Sequence, residues 1–225
     1  MDEPQIKRKC IKLAMLGDSR VGKTAICNSY MNIEFTDDNL STIGSEKYNT
    51  LMKMRNDEQI KLIIYDTAGQ ERFHSLSLKI LNSVQGVVVV FDLGNKKSFE
   101  NVNTWLKEIK ESYQNVLIVL FGNKCDIDES KREVTNEEIQ KLVQENNLTY
   151  YETRAKNKIG YSEGFENLAN DAFERNNGNG NIGIRLEDKK DKIDRNGCCG
   201  GGDKTKKTRA GLVSSGSVEA IRNTL

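Results

Sequence analysis

Long apolar runs are missing from this sequence. No run approaches the length of a membrane span, and the N-terminus has no signal-peptide core. A membrane-spanning or secreted chain is therefore not expected, and a cytosolic one is. A strong charge of one sign is missing too: the net charge is +1. The small imbalance is uneven. Residues 176–225 hold ten Lys/Arg against six Asp/Glu, a net of +4, and residues 1–175 hold 24 against 27, a net of −3. That balance points to no nucleic-acid partner. Proline is nearly absent. The only one, Pro4, lies in a polar leader, Met1–Lys9, that is expected to be flexible. The only histidine, His74, has no evident ligand partner and reads as a surface residue. Disulfides are not expected either. Cys10, Cys27 and Cys125 fall in or near apolar elements and read as free thiols.

What the chain does have is 36% hydrophobic and 30% charged residues over a length of 225. That suits one domain of ordinary size with tails. The domain is expected over residues 10–175, with a disordered variable tail over 176–225. Near its start stands Gly17–Thr24, GDSRVGKT, which fits G-x-x-x-x-G-K-[ST]. The spacing serves anion binding. Gly17 and Gly22 let the backbone turn tightly, so that the loop Gly17, Asp18, Ser19, Arg20, Val21 and Gly22 brings N–H groups to phosphate. Lys23 adds a point charge on the outer phosphates, and the Thr24 hydroxyl can ligate Mg²⁺. A short strand, Ile11–Leu16, precedes the loop, and a helix over Ala25–Met31 follows and adds its dipole.

The rest of the pattern alternates. Tyr48–Met54 and Ile60–Asp66 read as a hairpin turning at Arg55-Asn56-Asp57-Glu58. Gly86–Phe91 (GVVVVF) and Val116–Phe121 (VLIVLF) are uniformly apolar, as strands covered on both faces are. Between them, Ser98–Tyr113 carries Phe99, Val102, Trp105, Leu106 and Ile109 at helical spacing. Thr135 with Glu138 forms a capping-box pattern ahead of Ile139, Leu142 and Val143. Leu148–Glu152 is a last strand, and Ser162–Arg175 a last helix. Alternation of this kind predicts an α/β fold: a mostly parallel, six-stranded sheet with helices on both faces. Ligands of such sheets sit beyond the carboxyl ends of the strands.

Those strand ends carry the remaining chemistry. Asp66 precedes Thr67-Ala68-Gly69-Gln70. Its carboxylate suits Mg²⁺ through water, Gly69 admits a backbone N–H close to a terminal phosphate, and Gln70 suits orientation of an attacking water. Asn123-Lys124-Cys125-Asp126 follows another strand. The Asp126 carboxylate suits the two N–H groups on the Watson–Crick edge of guanine, a pair that adenine lacks. Lys124 can lay its stem over the base, and Asn123 can tie the loop to neighbouring backbone. Thr153-Arg154-Ala155-Lys156 ends the last strand, with the Ala155 N–H expected at the guanine O6 and Lys156 beside it.

Three motifs at three strand ends, in this order, resemble the Ras superfamily of small GTPases, over roughly Cys10–Arg175. Within it, STIG at Ser41–Gly44, KLIIYDTAGQERF at Lys61–Phe73, WLKEI at Trp105–Ile109 and FGNKCD at Phe121–Asp126 resemble the Rab branch. The resemblance implies a P-loop GTPase domain, a GTP/GDP cycle with slow intrinsic hydrolysis, and Mg²⁺ as cofactor. It implies that Thr42 in switch I meets Mg²⁺ and the γ-phosphate, that Phe35 lies near the guanine, and that Gly69 and Gln70 belong to switch II. Effectors, an exchange factor and an activating protein would read these loops on a monomer, in vesicle traffic. The chain departs from the pattern where Rab proteins have a hydrophobic residue, an acid and Phe: here stands Ser45-Glu46-Lys47-Tyr48. Tyr65 replaces the usual tryptophan, ILNSV at Ile80–Val84 replaces YYRGA, and Arg154 replaces the usual serine. No built-in arginine finger is evident; Arg20 and Arg72 read as solvated or structural.

Cys198-Cys199 resembles the doubly geranylgeranylated ending of Rab tails, which would bring the chain to the cytoplasmic face of intracellular membranes. Here 26 residues follow the pair, Gly200–Leu225, whereas prenylation of this kind works on terminal cysteines. Two other readings of the chain remain at this stage: a soluble GTPase of another branch in signalling or transport, and a nucleotide-bound scaffold with little turnover.

Overall fold

The computed structural model describes residues 9–33, 45–67, 80–113 and 116–178. Its strands are β1 (Cys10–Leu16), β2 (Ser45–Lys53), β3 (Gln59–Thr67), β4 (Gly86–Asp92), β5 (Leu117–Asn123) and β6 (Thr149–Thr153). The helices of eight residues or more are α1 (Lys23–Tyr30), α3 (Val102–Ser112), α4 (Asn136–Asn146) and α5 (Tyr161–Gly178), and the short α2 is Lys96–Glu100. The strands form one sheet in the order β2-β3-β1-β4-β5-β6, parallel except for the β2–β3 hairpin.

Strand periodicity sorts the core into two layers. Leu13, Met15, Val88, Val90, Val119 and Phe121 face α1 and α5, where they meet Ile26, Cys27, Phe165 and Leu168. Their neighbours Ala14, Leu16, Val87, Val89, Phe91 and Leu120 face the other way, onto Phe99, Trp105, Ile109, Ile139 and Leu142 of α2, α3 and α4. Continuous apolar runs in β4 and β5 are therefore the signature of burial on both faces.

Local chemistry ends the elements. The Thr135 hydroxyl accepts from the Glu138 N–H while the Glu138 carboxylate accepts from the Thr135 N–H, so the expected capping box opens α4. The expected single helix over Ser98–Tyr113 is two helices. Asn95 caps α2 by accepting from the Ser98 N–H, and Asn101 joins α2 to α3 with near-helical backbone. The break leaves the apolar spacing almost unaltered, which hides it from a pattern argument. The β2–β3 hairpin turns through Asp57 at φ 64°. Arg55 fastens it to α5: its N–H donates to Asn170 Oδ1 at 2.9 Å and its Nη2 to Asn167 Oδ1 at 2.8 Å. Met52 and Met54 are buried packing residues. None of the three described cysteines is in a disulfide. No helix among the described residues is long and apolar enough to cross a membrane.

Candidate functional site

The sheet order reverses at β1, which has β3 on one side and β4 on the other. Such a switch point opens a crevice at the carboxyl ends of the strands. Gly17–Gly22 leaves β1 at that point. Gly17 lies at φ 134°, where a Cβ would stand 2.1 Å from the Val90 carbonyl oxygen. Gly22 lies at φ 100°, where a Cβ would stand 2.2 Å from Asn123 Nδ2. Both glycines are required by backbone angle and by space. Arg20 is exposed at φ 65°, a left-handed conformation costing roughly 1–2 kcal/mol in a residue with a Cβ.

Helix α1 begins without a side-chain cap and without an acidic residue in its first turn. No side chain caps its leading N–H groups, and the dipole there favours an anion. Lys23, 5% exposed, bridges the loop: its Nζ donates to Gly17 O at 2.8 Å and to Asp18 O at 2.7 Å. Burial pulls its pKa from 10.5 down to about 8, against the raising influence of Asp66 and Asp18. An ammonium so desolvated is poised for a phosphate counter-charge.

At the end of β3, Asp66 is fully buried, and its Oδ2 accepts from Thr24 Oγ1 at 2.5 Å. Two hard oxygens so close fit Mg²⁺, which takes one or two protein oxygens and completes its shell with water and phosphate. A closed cage of three or more His, Cys, Asp or Glu does not occur among the described residues.

The end of β5 is braced to both neighbouring loops. Asn123 Nδ2 donates to Val21 O at 2.8 Å, and Asn123 Oδ1 accepts from Thr153 Oγ1 at 3.2 Å. The Cys125 N–H donates to Thr153 O at 3.2 Å. Asn123 is therefore committed to holding loops together. Lys124, at φ 63°, pairs with Asp92 across 2.6 Å. Asp126 faces Arg154, with Oδ2 3.2 Å from Nε. Ala155 is buried, and its carbonyl accepts from Ser29 Oγ at 2.6 Å. No described residue accepts from the Ala155 N–H. Lys156 is exposed.

Some ties escaped the sequence reading. The Asp18 carboxylate turns away from the phosphate crevice and accepts from Asn101 Nδ2 at 2.6 Å and Trp105 Nε1 at 3.0 Å. The signal was available: an acid inside an anion-binding loop needs donors of its own, and a buried indole N–H needs an acceptor. The Asp92 and Arg154 ion pairs had no local signature. Phe35, Thr42, Gly69, Gln70, Cys198 and Cys199 lie outside the described residues.

Comparison with known proteins agrees with this geometry. The family model of the Ras family matches residues 12–174. The Ras-related protein Rab-13 of Mesocricetus auratus is 38% identical over 172 residues, covering 74% of this chain and 82% of that protein. The Ras-related protein Rab-10 of Diplobatis ommata is 37% identical over 165 residues, covering 73% and 82%. The Ypt/Rab-type GTPase Rab7 of Gibberella zeae is 37% identical over 173 residues, covering 74% and 84%. The phosphate loop at the sheet's switch point and these matches over most of the chain lead to one conclusion: the chain belongs to the Rab family of small GTPases within the Ras superfamily.

Proposed function

We propose that this GTPase is a nucleotide-operated switch whose GTP-bound form recruits effectors in vesicle traffic. The observation that carries the nucleotide half is the uncapped start of α1, with buried Lys23 beneath it and the Thr24–Asp66 oxygen pair beside it. In this reading the N–H groups from Asp18 to Thr24 cradle the phosphates, and Lys23 supplies positive charge. Thr24, Asp66 and Thr42 would hold Mg²⁺, which would supply neutralisation of charge on the phosphate oxygens. Asp126 reads the guanine edge, the Ala155 N–H meets its O6, Phe35 and Lys124 flank the ring, and Lys156 lies nearby. Asn123 contributes by bracing. Gln70 orients the attacking water and Gly69 meets the γ-phosphate, so hydrolysis releases both switch loops. With Arg20 and Arg72 read as solvated or structural rather than as an arginine finger, intrinsic hydrolysis is slow, and an activating protein supplies the missing charge.

The test is Gln70→Leu. It should bind GTP like the parent and lose hydrolysis in a single-turnover assay; equal rates for the two proteins would refute the role given to Gln70. The trafficking half depends on Cys198 and Cys199 carrying geranylgeranyl groups, because two chains anchor stably where one does not. An intact mass from native cells decides this. A species ending near Cys199 with two lipids supports membrane cycling. An unmodified 225-residue chain moves the protein off the membrane and favours a soluble GTPase.

A further inference from the structure

Among the described residues, Arg154 makes the one ion pair of Asp126, the carboxylate proposed to read the base. Oδ2 and Nε stand 3.2 Å apart, with side chains 35% and 28% exposed. The contact is an ion pair without hydrogen-bond alignment, since the Arg154 Nε–H finds no acceptor in line. Among the described residues, no other side chain hydrogen-bonds or ion-pairs with that carboxylate. The guanidinium therefore attracts the carboxylate while leaving its in-plane lone pairs to other donors, and a carboxylate offers about four such positions. Arg154 is itself held firmly. Its N–H donates to Ile159 O at 3.1 Å and its carbonyl accepts from the Ile159 N–H at 3.2 Å, closing the turn that carries Ala155. The loop of Asp126 is joined to the same turn through Cys125 N–H and Thr153 O.

We infer that Arg154 is a positioning residue for guanine recognition, orienting the Asp126 carboxylate toward the base and linking it to the Ala155 turn. A carboxylate held in place before binding loses less freedom on binding. The base donors then complete the alignment that Arg154 leaves open. The inference rests on Asp126 reading guanine, as proposed above, and adds a determinant of base discrimination on the neighbouring loop.

The experiment compares dissociation of GDP with that of inosine diphosphate, which lacks the 2-amino donor, from the full chain. Arg154→Ala should release GDP about threefold faster, in keeping with a partly exposed ion pair, and release inosine diphosphate with a smaller change. The GDP preference over inosine diphosphate narrows accordingly. Arg154→Lys should restore part of the preference and control for damage to the turn. In an Asp126→Ala background, Arg154→Ala should change nothing further. Equal acceleration of both nucleotides, or an effect that persists without Asp126, would overturn the positioning role and leave a purely structural one. If Asp126→Ala keeps the parent's preference for GDP over ADP, both the inference and the reading of Asp126 fall. If that preference is lost while Arg154→Ala behaves as the parent, only the inference falls.

Discussion

Lys23→Met should stabilise the nucleotide-free protein and weaken the nucleotide-bound one. The Lys23 side chain is buried, and desolvation lowers its pKa from 10.5 to about 8. At about 1.4 kcal/mol per pH unit, that depression corresponds to about 3 kcal/mol of unfavourable charge burial at neutral pH. Methionine removes it. The substitution also strips the Gly17 and Asp18 carbonyls of their donor, a loss of roughly 1–3 kcal/mol. The net gain at neutral pH is then about 1 kcal/mol. The pH dependence has a definite sign. Between about 8 and 10.5 the unfolded chain holds the lysine proton more tightly than the folded chain. Stability of the parent therefore rises with pH across that window, and methionine has no proton to release. The variant's advantage should shrink through the window and reverse within it. Urea unfolding of both stripped proteins, near neutral pH and near the top of the window, measures the difference; other titrating groups cancel between them. With GDP present the order inverts, because phosphate restores the value of the ammonium, and the variant should bind at least about 100-fold more weakly. A stability difference that is flat in pH, or a stripped variant markedly weaker than the parent, would refute the account of Lys23 as a charge held ready for phosphate.

Gly17→Ala forces a Cβ to within 2.1 Å of the Val90 carbonyl at φ 134°, and should lower stability by about 3 kcal/mol or more; thermal melts with and without GDP measure this, and a parent-like melt would contradict the close approach. Asp18→Ala removes the carboxylate that accepts from Asn101 Nδ2 and from the indole N–H of Trp105, the only tryptophan. It should cost roughly 1.5–3 kcal/mol and shift the intrinsic fluorescence, and an unchanged emission maximum would show that the indole bond is not made. Thr135→Ala removes the capping box of α4 and should lower the urea midpoint by the equivalent of about 1 kcal/mol while GDP affinity stays unchanged.

Much of the site was legible because its chemistry is local in sequence. Gly17, Gly22, Lys23 and Thr24 must lie at fixed spacing, since a single turn of backbone has to meet one anion. Asp66, Asn123 and Ala155 each stood at or just beyond the end of a strand, and parallel strands carry their ends to one edge. What stayed illegible involves partners far apart in the chain. Asp18 was expected to lend its N–H to phosphate, and nothing in its loop revealed that its side chain is bound by Asn101 of the α2–α3 connection and Trp105 of α3. Trp105 fitted an apolar stripe, and nothing in that stripe revealed where the indole N–H points. Arg154 read as a tolerated departure from the family pattern, because only the folded turn brings it against Asp126.

The sequence by itself determined the layered α/β architecture and the family. Two-residue and 3.6-residue periodicities specify which faces are buried, and the motifs mark which loops are candidates for phosphate and guanine. Tertiary structure alone decided how those loops are held to one another. The ties of Asn123 to Val21, Thr153 to Asn123, Asp92 to Lys124 and Asp18 to Trp105 each depend on strand order and on a distance of a few ångströms. No periodicity encodes such contacts. They arise because a twisted parallel sheet brings distant strand ends together, where buried polar groups must find partners in one another.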